Sequence, residues 1–309
     1  MLTNTPNMKG LERALEESFD DITTVSKQGG AYIGVATGMT DLDKLLKGIH
    51  PGEITFVCSK DLKLKNSFLI TVALNAAIAG TTVYFCTAEY TAAQVAMRML
   101  SIESRVPLET LQTGCVKSDD WKALADAMRV LPKSNIHLFE DTTLKADEFC
   151  TFVQYAAKGA HAKKLLIVDS ENFFSPSYVA PDCHPRGNEQ LCALTSLARR
   201  SGLSVLVGHL EPDEWSYKNF YWHSQPCIGS VISVNDAIPP ANPGEGKPVS
   251  AAVIKNTHGP KGSTTLLYDT ETYLIEDRSR PSEECRDIAY EDLRQMYREE
   301  GNKKAKEQP

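Results

Sequence analysis

Short runs that are apolar almost without interruption decide what this chain can become. ITFVC, VYFC, KKLLIVD and LSVLVG are the clearest. A strand with one wet face alternates apolar and polar residues. A run that does not alternate must be covered on both faces. The reading gives strands at Ile54–Cys58, Val83–Cys86, Ile136–Phe139, Leu165–Asp169, Leu203–Gly208, Ala251–Ile254 and Thr265–Tyr268. Between them lie segments of helical period: Asp41–Leu46, Ser67–Ala79, Thr91–Ser101, Leu108–Thr113, Ser118–Leu131, Lys145–Lys158 and Asn188–Ser201. Strands alternating with helices predict an α/β fold, a mostly parallel twisted sheet with helices on both faces. From Lys255 to Ile275 the pattern is strand–turn–strand, a C-terminal antiparallel hairpin.

The ends of the chain read differently. Met8, Leu11, Leu15 and Phe19 recur at helical spacing beside Glu16, Glu17, Asp20 and Asp21. This predicts an amphipathic helix in an N-terminal linker, residues 1–30. Residues 31–278 form the core domain. Residues 279–309 are charged, end in GNKKAKEQP, and read as a disordered tail. No apolar run reaches the ~18 residues that span a bilayer, and the N-terminus lacks a secretory apolar region. A soluble, cytoplasmic protein without membrane contact is expected. None of the eight cysteines forms a CxxC pair, which argues against a zinc ribbon. Cys58 and Cys86 read as reduced core residues. A net charge of -7 gives no general attraction to nucleic acid, so any such contact needs a local patch.

In doubly wound sheets, ligands bind beyond the carboxyl ends of the strands. Five segments fall there. The loop Ser59–Asn66, SKDLKLKN, stands where a phosphate-binding loop belongs. A working loop has the pattern GxxxxGK[ST]: its glycines let N–H groups wrap phosphate, its lysine reaches the outer phosphates, and its hydroxyl binds magnesium. Here Ser59 and Leu64 replace the glycines, Lys65 is retained, and Asn66 replaces the hydroxyl, offering a weak magnesium ligand. Leu64 falls where φ > 0 is often required, which is costly for a bulky side chain. Lys60, Lys63 and Lys65 would attract a polyanion. An ordinary basic surface loop accounts for the same residues. Glu89 follows VYFC and could activate a water; a solvated loop glutamate is the alternative. Asp169 ends KKLLIVD as a Walker B aspartate would, holding magnesium through water. His209 ends LSVLVG, either as a γ-phosphate sensor or as a residue bonded only to backbone. The loop 211–226 holds Trp215, Tyr217, Lys218, Phe220, Tyr221 and Trp222. Aromatics there could stack unpaired bases. The acids Glu211, Asp213 and Glu214 favour a protein partner.

Taken in order, these segments resemble the helicase domain of DnaB-type replicative helicases, and in places that of phage primase-helicases and mitochondrial Twinkle. TGMTDLDKLLKGIHPGEITFV resembles the family's opening. SFLITVALNAA resembles the helix after its phosphate loop, and LLIVDS its Walker B strand. VGHL, IGSVISVNDAI and VIKNTHGPKGSTTLLYDTETYLIED resemble its sensor, a decayed form of a later motif, and its closing hairpin. The likeness runs from about Gly34 to Glu276. It implies a RecA-like core, ATP and Mg2+ as cofactors, hexameric rings and single-stranded DNA in the channel. By the same resemblance Lys65 matches the phosphate-loop lysine, Glu89 the catalytic glutamate, Asp169 the Walker B aspartate, His209 the sensor, and Lys255 a lysine given to a neighbour's nucleotide. Thr257 stands at the arginine finger, a residue that contributes ~10³–10⁵ in rate in related NTPases.

The sequence therefore predicts a DnaB-family replication protein, phage-like, with impaired ATP turnover. It would act as a ring subunit or beside an active helicase and other replication proteins. Two alternatives stand: an active helicase with a non-standard phosphate loop, and a nucleotide-free scaffold on a RecA-like fold.

Overall fold

The computed structural model describes residues 10–27, 32–141, 146–158, 163–170, 189–211, 228–237 and 246–278. Among the described residues nine strands form one sheet: β1 (Ile54–Ser59), β2 (Thr82–Thr87), β3 (Ile136–Phe139), β4 (Lys164–Asp169), β5 (Ser204–Leu210), β6 (Ile228–Asp236), β7 (Lys247–Asn256), β8 (Gly262–Tyr268) and β9 (Ile275–Asp277). Their order is β3-β2-β4-β5-β1-β6-β7-β8-β9. The strands from β3 to β6 pair in parallel, and β7 to β9 add an antiparallel edge. This is the α/β architecture the apolar runs require, with its expected C-terminal hairpin.

The strands at the centre of the sheet are buried on both faces. In β4, Leu165 and Ile167 join one core with Phe68, Leu69 and Val72 of α3 (Leu62–Ile78) and Val95 and Met99 of α4 (Ala92–Ser104). Leu166 and Val168 join the other, with Phe149 and Val153 of one helix (Ala146–Ala156) and Leu194 and Leu197 of another (Glu189–Ser201). Cys58 and Cys86 are buried free thiols in this second core, as expected. Every residue from Leu64 to Leu74 is buried, so α3 is a central helix with no wet face.

Three elements differ from expectation, the first being the short strand β9, which adds a further antiparallel pairing beyond the expected hairpin. The pattern does not predict strand β6, because Gly229, Ser230, Ser233 and Asn235 interrupt its apolar residues. Its serines are buried with the rest: Ser230 donates from Oγ to Asn256 Oδ1 at 3.3 Å, and Ser233 Oγ accepts from Asn235 Nδ2 at 2.9 Å. Helix α3 begins at Leu62 rather than Ser67.

At the opposite extreme of the chain, α1 (Leu11–Lys27) leaves its apolar stripe open. Leu11 is 76% exposed, Leu15 60%, Phe19 69% and Ile22 62%. No described helix is long and apolar enough to cross a membrane.

Candidate functional site

The early start of α3 has a local cause. Without glycine between Ser59 and Asn66, the backbone takes the helical conformation open to ordinary residues. Asp61 caps it: Oδ1 accepts from Lys63 N at 2.7 Å and from Leu64 N at 3.2 Å, and the Asp61 carbonyl accepts from Lys65 N at 2.9 Å. Ser59 Oγ accepts from Asp61 N at 3.2 Å, and Lys60 N donates to Asn235 Oδ1 at 3.1 Å. The segment predicted as a loop is thus a strand end, a short turn and a helical turn. Leu64 needs no left-handed backbone; it lies within the helix, fully buried. Lys60 and Lys63 are exposed to solvent.

Lys65 is not. Its side chain is completely buried, and its ammonium lies 2.6 Å from Asp169 Oδ1 and 2.9 Å from Glu89 Oε1. Asn66 Nδ2 donates to Glu89 Oε2 at 3.0 Å. The pairings Thr87 with Asp169 and Cys58 with His209 align the ends of β2, β4, β1 and β5 around this cluster. Glu89 lies just past β2, and His209 lies on β5 beside Gly208. Gly208 admits the lysine: a Cβ there would stand 3.3 Å from Lys65 Cδ, 3.2 Å from Asp169 Oδ1 and 2.8 Å from Leu69 Cδ1. Burial pushes the Asp169 carboxyl up to about 6; the Lys65 ammonium opposes that shift and Glu89 adds to it.

Lys255 and Thr257 sit elsewhere. Lys255 faces Val231 across β6 and β7, and Thr257 N donates to Gly229 O at 3.0 Å. Gly229 is next to Ile228, the partner of Ile54, so this is the end of the sheet where β1 and β6 begin. There Glu53 Oε2 lies 3.3 Å from Thr257 Oγ1 and 2.9 Å from His258 Nε2. The His258 and His50 rings stack at 3.6 Å, 14° from parallel. Burial, and then His258, push His50 down to about 4, against the pull of Glu53. The aromatic residues Trp215, Tyr217, Phe220, Tyr221 and Trp222, with Lys218, lie outside the described residues.

Residues 34–189 match the family described as the DnaB-like helicase C terminal domain. The chain belongs to the DnaB-like helicase family. Among curated relatives it is 29% identical over 166 residues to the replicative DNA helicase DnaB of Leifsonia xyli subsp. xyli, covering 52% of this chain and 35% of the relative. It is 27% identical over 146 residues to the replicative DNA helicase DnaC of Bacillus subtilis, covering 47% of this chain and 32% of that one. The chain thus spans about a third of the length of these relatives. Among solved structures, an isolated ATPase domain superposes with a TM-score of 0.74 at 15% identity, covering 88% of this chain and 99% of that one. A DnaB-like replicative helicase, solved in a study of its interactions with primase, gives 0.71 at 16%, covering 89% and 68%. These likenesses place the RecA-like fold.

Against that family background, the residues present do not fit a nucleoside triphosphate. The N–H groups of Lys63 and Leu64 already bond a carboxylate of the chain. Lys65 is enclosed by protein. A magnesium ion fits no better, because the ammonium already sits on Asp169, where a second cation would meet like charge. Asn66 Oδ1 is buried without a hydrogen-bond partner among the described residues, but one neutral oxygen is not a magnesium site. Sequence reasoning missed Asp61, Gly208, Glu53, His50 and His258. Asp61 alone carried a local signal, as a capping residue ahead of a helical pattern.

Proposed function

We propose that this DnaB-family chain works in DNA replication as a ring component with weak or absent ATP turnover. The observation that carries the reading is the closed cluster of Lys65, Asp169, Glu89 and Asn66 at the carboxyl ends of the sheet. An ATPase centre needs the lysine free to reach phosphate and the carboxylates free for the magnesium-bound and attacking waters. The reading keeps residues 31–278 as the core, 1–30 as a linker and 279–309 as a tail. It takes the setting to be the cytoplasm of a bacterial host, with phage-encoded replication as the context.

The exposed stripe of α1 supports assembly. Its occupant is the adjacent subunit of the ring, either a second copy or an active helicase subunit. The stripe is flanked by Glu12, Glu16 and Asp20, all exposed. On the core, the helix Asp120–Val130 exposes Trp121 and Met128 beside Lys122 and the Arg129–Asp126 ion pair, a second apolar patch open to a neighbour. Single-stranded DNA is a candidate ligand of the assembled ring rather than of the isolated acidic chain.

ATP hydrolysis by the purified protein, with and without single-stranded DNA and beside Glu89→Gln, tests the reading. Turnover at the level of the Glu89→Gln control is expected. DNA-stimulated hydrolysis lost in the control would sink it and favour an active helicase with a non-standard loop.

A further inference from the structure

The cluster described above suggests more than slow turnover. We infer that Asp61 is a resident anion: its carboxylate takes the N–H donors at the start of α3, Lys65 is held as a buried structural ion, and the chain accepts no nucleotide phosphate at all. The inference deepens the reading of the same site and rests on it.

Three independent features converge. First, the donors are taken. A phosphate at a helix start is held by the N–H groups of the first turn. Here Lys63 N and Leu64 N both bond Asp61 Oδ1. A phosphate oxygen must displace a covalently tethered carboxylate of the same charge sign. Second, the cation is taken. Lys65 Nζ contacts Asp169 Oδ1 and Glu89 Oε1, and its stem lies over Gly208. Reaching solvent would strip the buried Asp169 carboxylate of its partner, which is costly, and would leave the more open Glu89 unpaired as well. Third, the space is taken. Leu64 is fully buried in the same core as Phe68 and Leu69, so the first turn of α3 cannot unwind without exposing it. Each feature alone would weaken nucleotide binding. Together they make the closed form the packed state of the protein and not a gate awaiting ligand.

Two measurements on the full chain test this. The first is equilibrium titration with the fluorescent analogue mant-ATP and magnesium, up to about 1 mM, the upper end of usual enzyme–substrate affinities. No saturable signal is expected. Saturable binding without hydrolysis would overturn this inference and leave the proposed function standing; DNA-stimulated hydrolysis lost in Glu89→Gln would overturn both. The second follows the Lys63 and Leu64 amide resonances of isotope-labelled protein on addition of inorganic pyrophosphate. In the wild type they should not move. Asp61→Gly costs only tenths of a kcal/mol as a cap, so the variant folds. It should gain about tenfold in pyrophosphate affinity, the effect of one hydrogen bond to a charged group, with both amides shifting. Unmoved amides in Asp61→Gly would show that Asp61 is not what excludes phosphate.

Discussion

The two ends of the central sheet solve one problem in different surroundings. At the carboxyl ends of β1, β2, β4 and β5, Lys65 is fully buried between Asp169 and Glu89. At the end where β1 and β6 begin, Glu53 holds Thr257 and His258 from a half-exposed position. Each charged side chain is admitted by a glycine, Gly208 in the first case and Gly229 in the second. In the first cluster Lys65 and Asp169 are dry and only Glu89 reaches solvent; the second is half-exposed throughout and can rearrange. The difference in burial teaches that the first is the structural keystone and the second a local fastening.

Lys65→Ala should break the comparison most severely. It leaves Asp169 and Glu89 without their cation, and about 3–5 kcal/mol of unfolding free energy should be lost in urea titration. A loss below about 1 kcal/mol would mean that the buried ions are not a keystone. Next come the glycines. Gly208→Ala sets a Cβ among Leu69, Asp169 and Lys65, none of which can leave the core, and should cost about 1–3 kcal/mol. Gly229→Ala drives a Cβ into Glu53 Oε2, but Glu53 can swing into solvent; the cost should stay near about 1 kcal/mol, the hydrogen bonds to Thr257 and His258. Equal losses would erase the distinction.

Acid should separate the ends by sign. The Asp169 carboxyl rises from 3.8 to about 6 on folding, so the folded state takes up a proton first. Its unfavourable contribution is full above about 6 and is relieved as pH falls toward 4. Stability should therefore gain about 1 kcal/mol from this group between pH 7 and 5, and Asp169→Asn should remove that gain. Asp43, also raised to about 6 by burial, adds in the same direction and remains in the variant. His50 works oppositely. Its folded value falls from 6.5 to about 4, so its stability is present above 6.5 and is lost as pH falls through that range. The ring is only half buried and solvent screens it, so the loss should be on the order of 0.5 kcal/mol. His50→Phe keeps the ring stack and should flatten this smaller slope in pH-dependent unfolding.

How much of this was legible beforehand follows from range. The core strands were readable because burial on both faces writes an uninterrupted apolar run into ITFVC and LLIVD. Strand β6 was not, since its buried Ser230 and Ser233 are satisfied by partners that no local pattern reveals. At the site, Lys65, Glu89 and Asp169 are each marked by their place at or just past a strand end, but taking Ser59–Asn66 for a phosphate loop hides the helix cap at Asp61. The contact between Lys65 and Asp169 spans 104 positions and depends on Gly208, which looks like any strand glycine in the sequence. Glu53, His50 and His258 are scattered residues until β6 and β7 bring them together.

The early start of α3 also bears on whether such a chain could ever regain a phosphate loop by single mutational steps. Changing Leu64 to glycine empties a packed position in the core before any ligand has arrived to fill it, a step that typically costs about 2–5 kcal/mol even for the milder truncation to alanine. Changing Asp61 removes a cap, and changing Asn66 abandons Glu89, while Lys65 stays engaged. Asp61→Gly is the mild step, at roughly a few tenths of a kcal/mol, whereas the reversals at Leu64 and Asn66 are losses in stability until they are made together. Packing works here as a ratchet, which would let a lineage cross into the closed state easily and return only by a concerted jump.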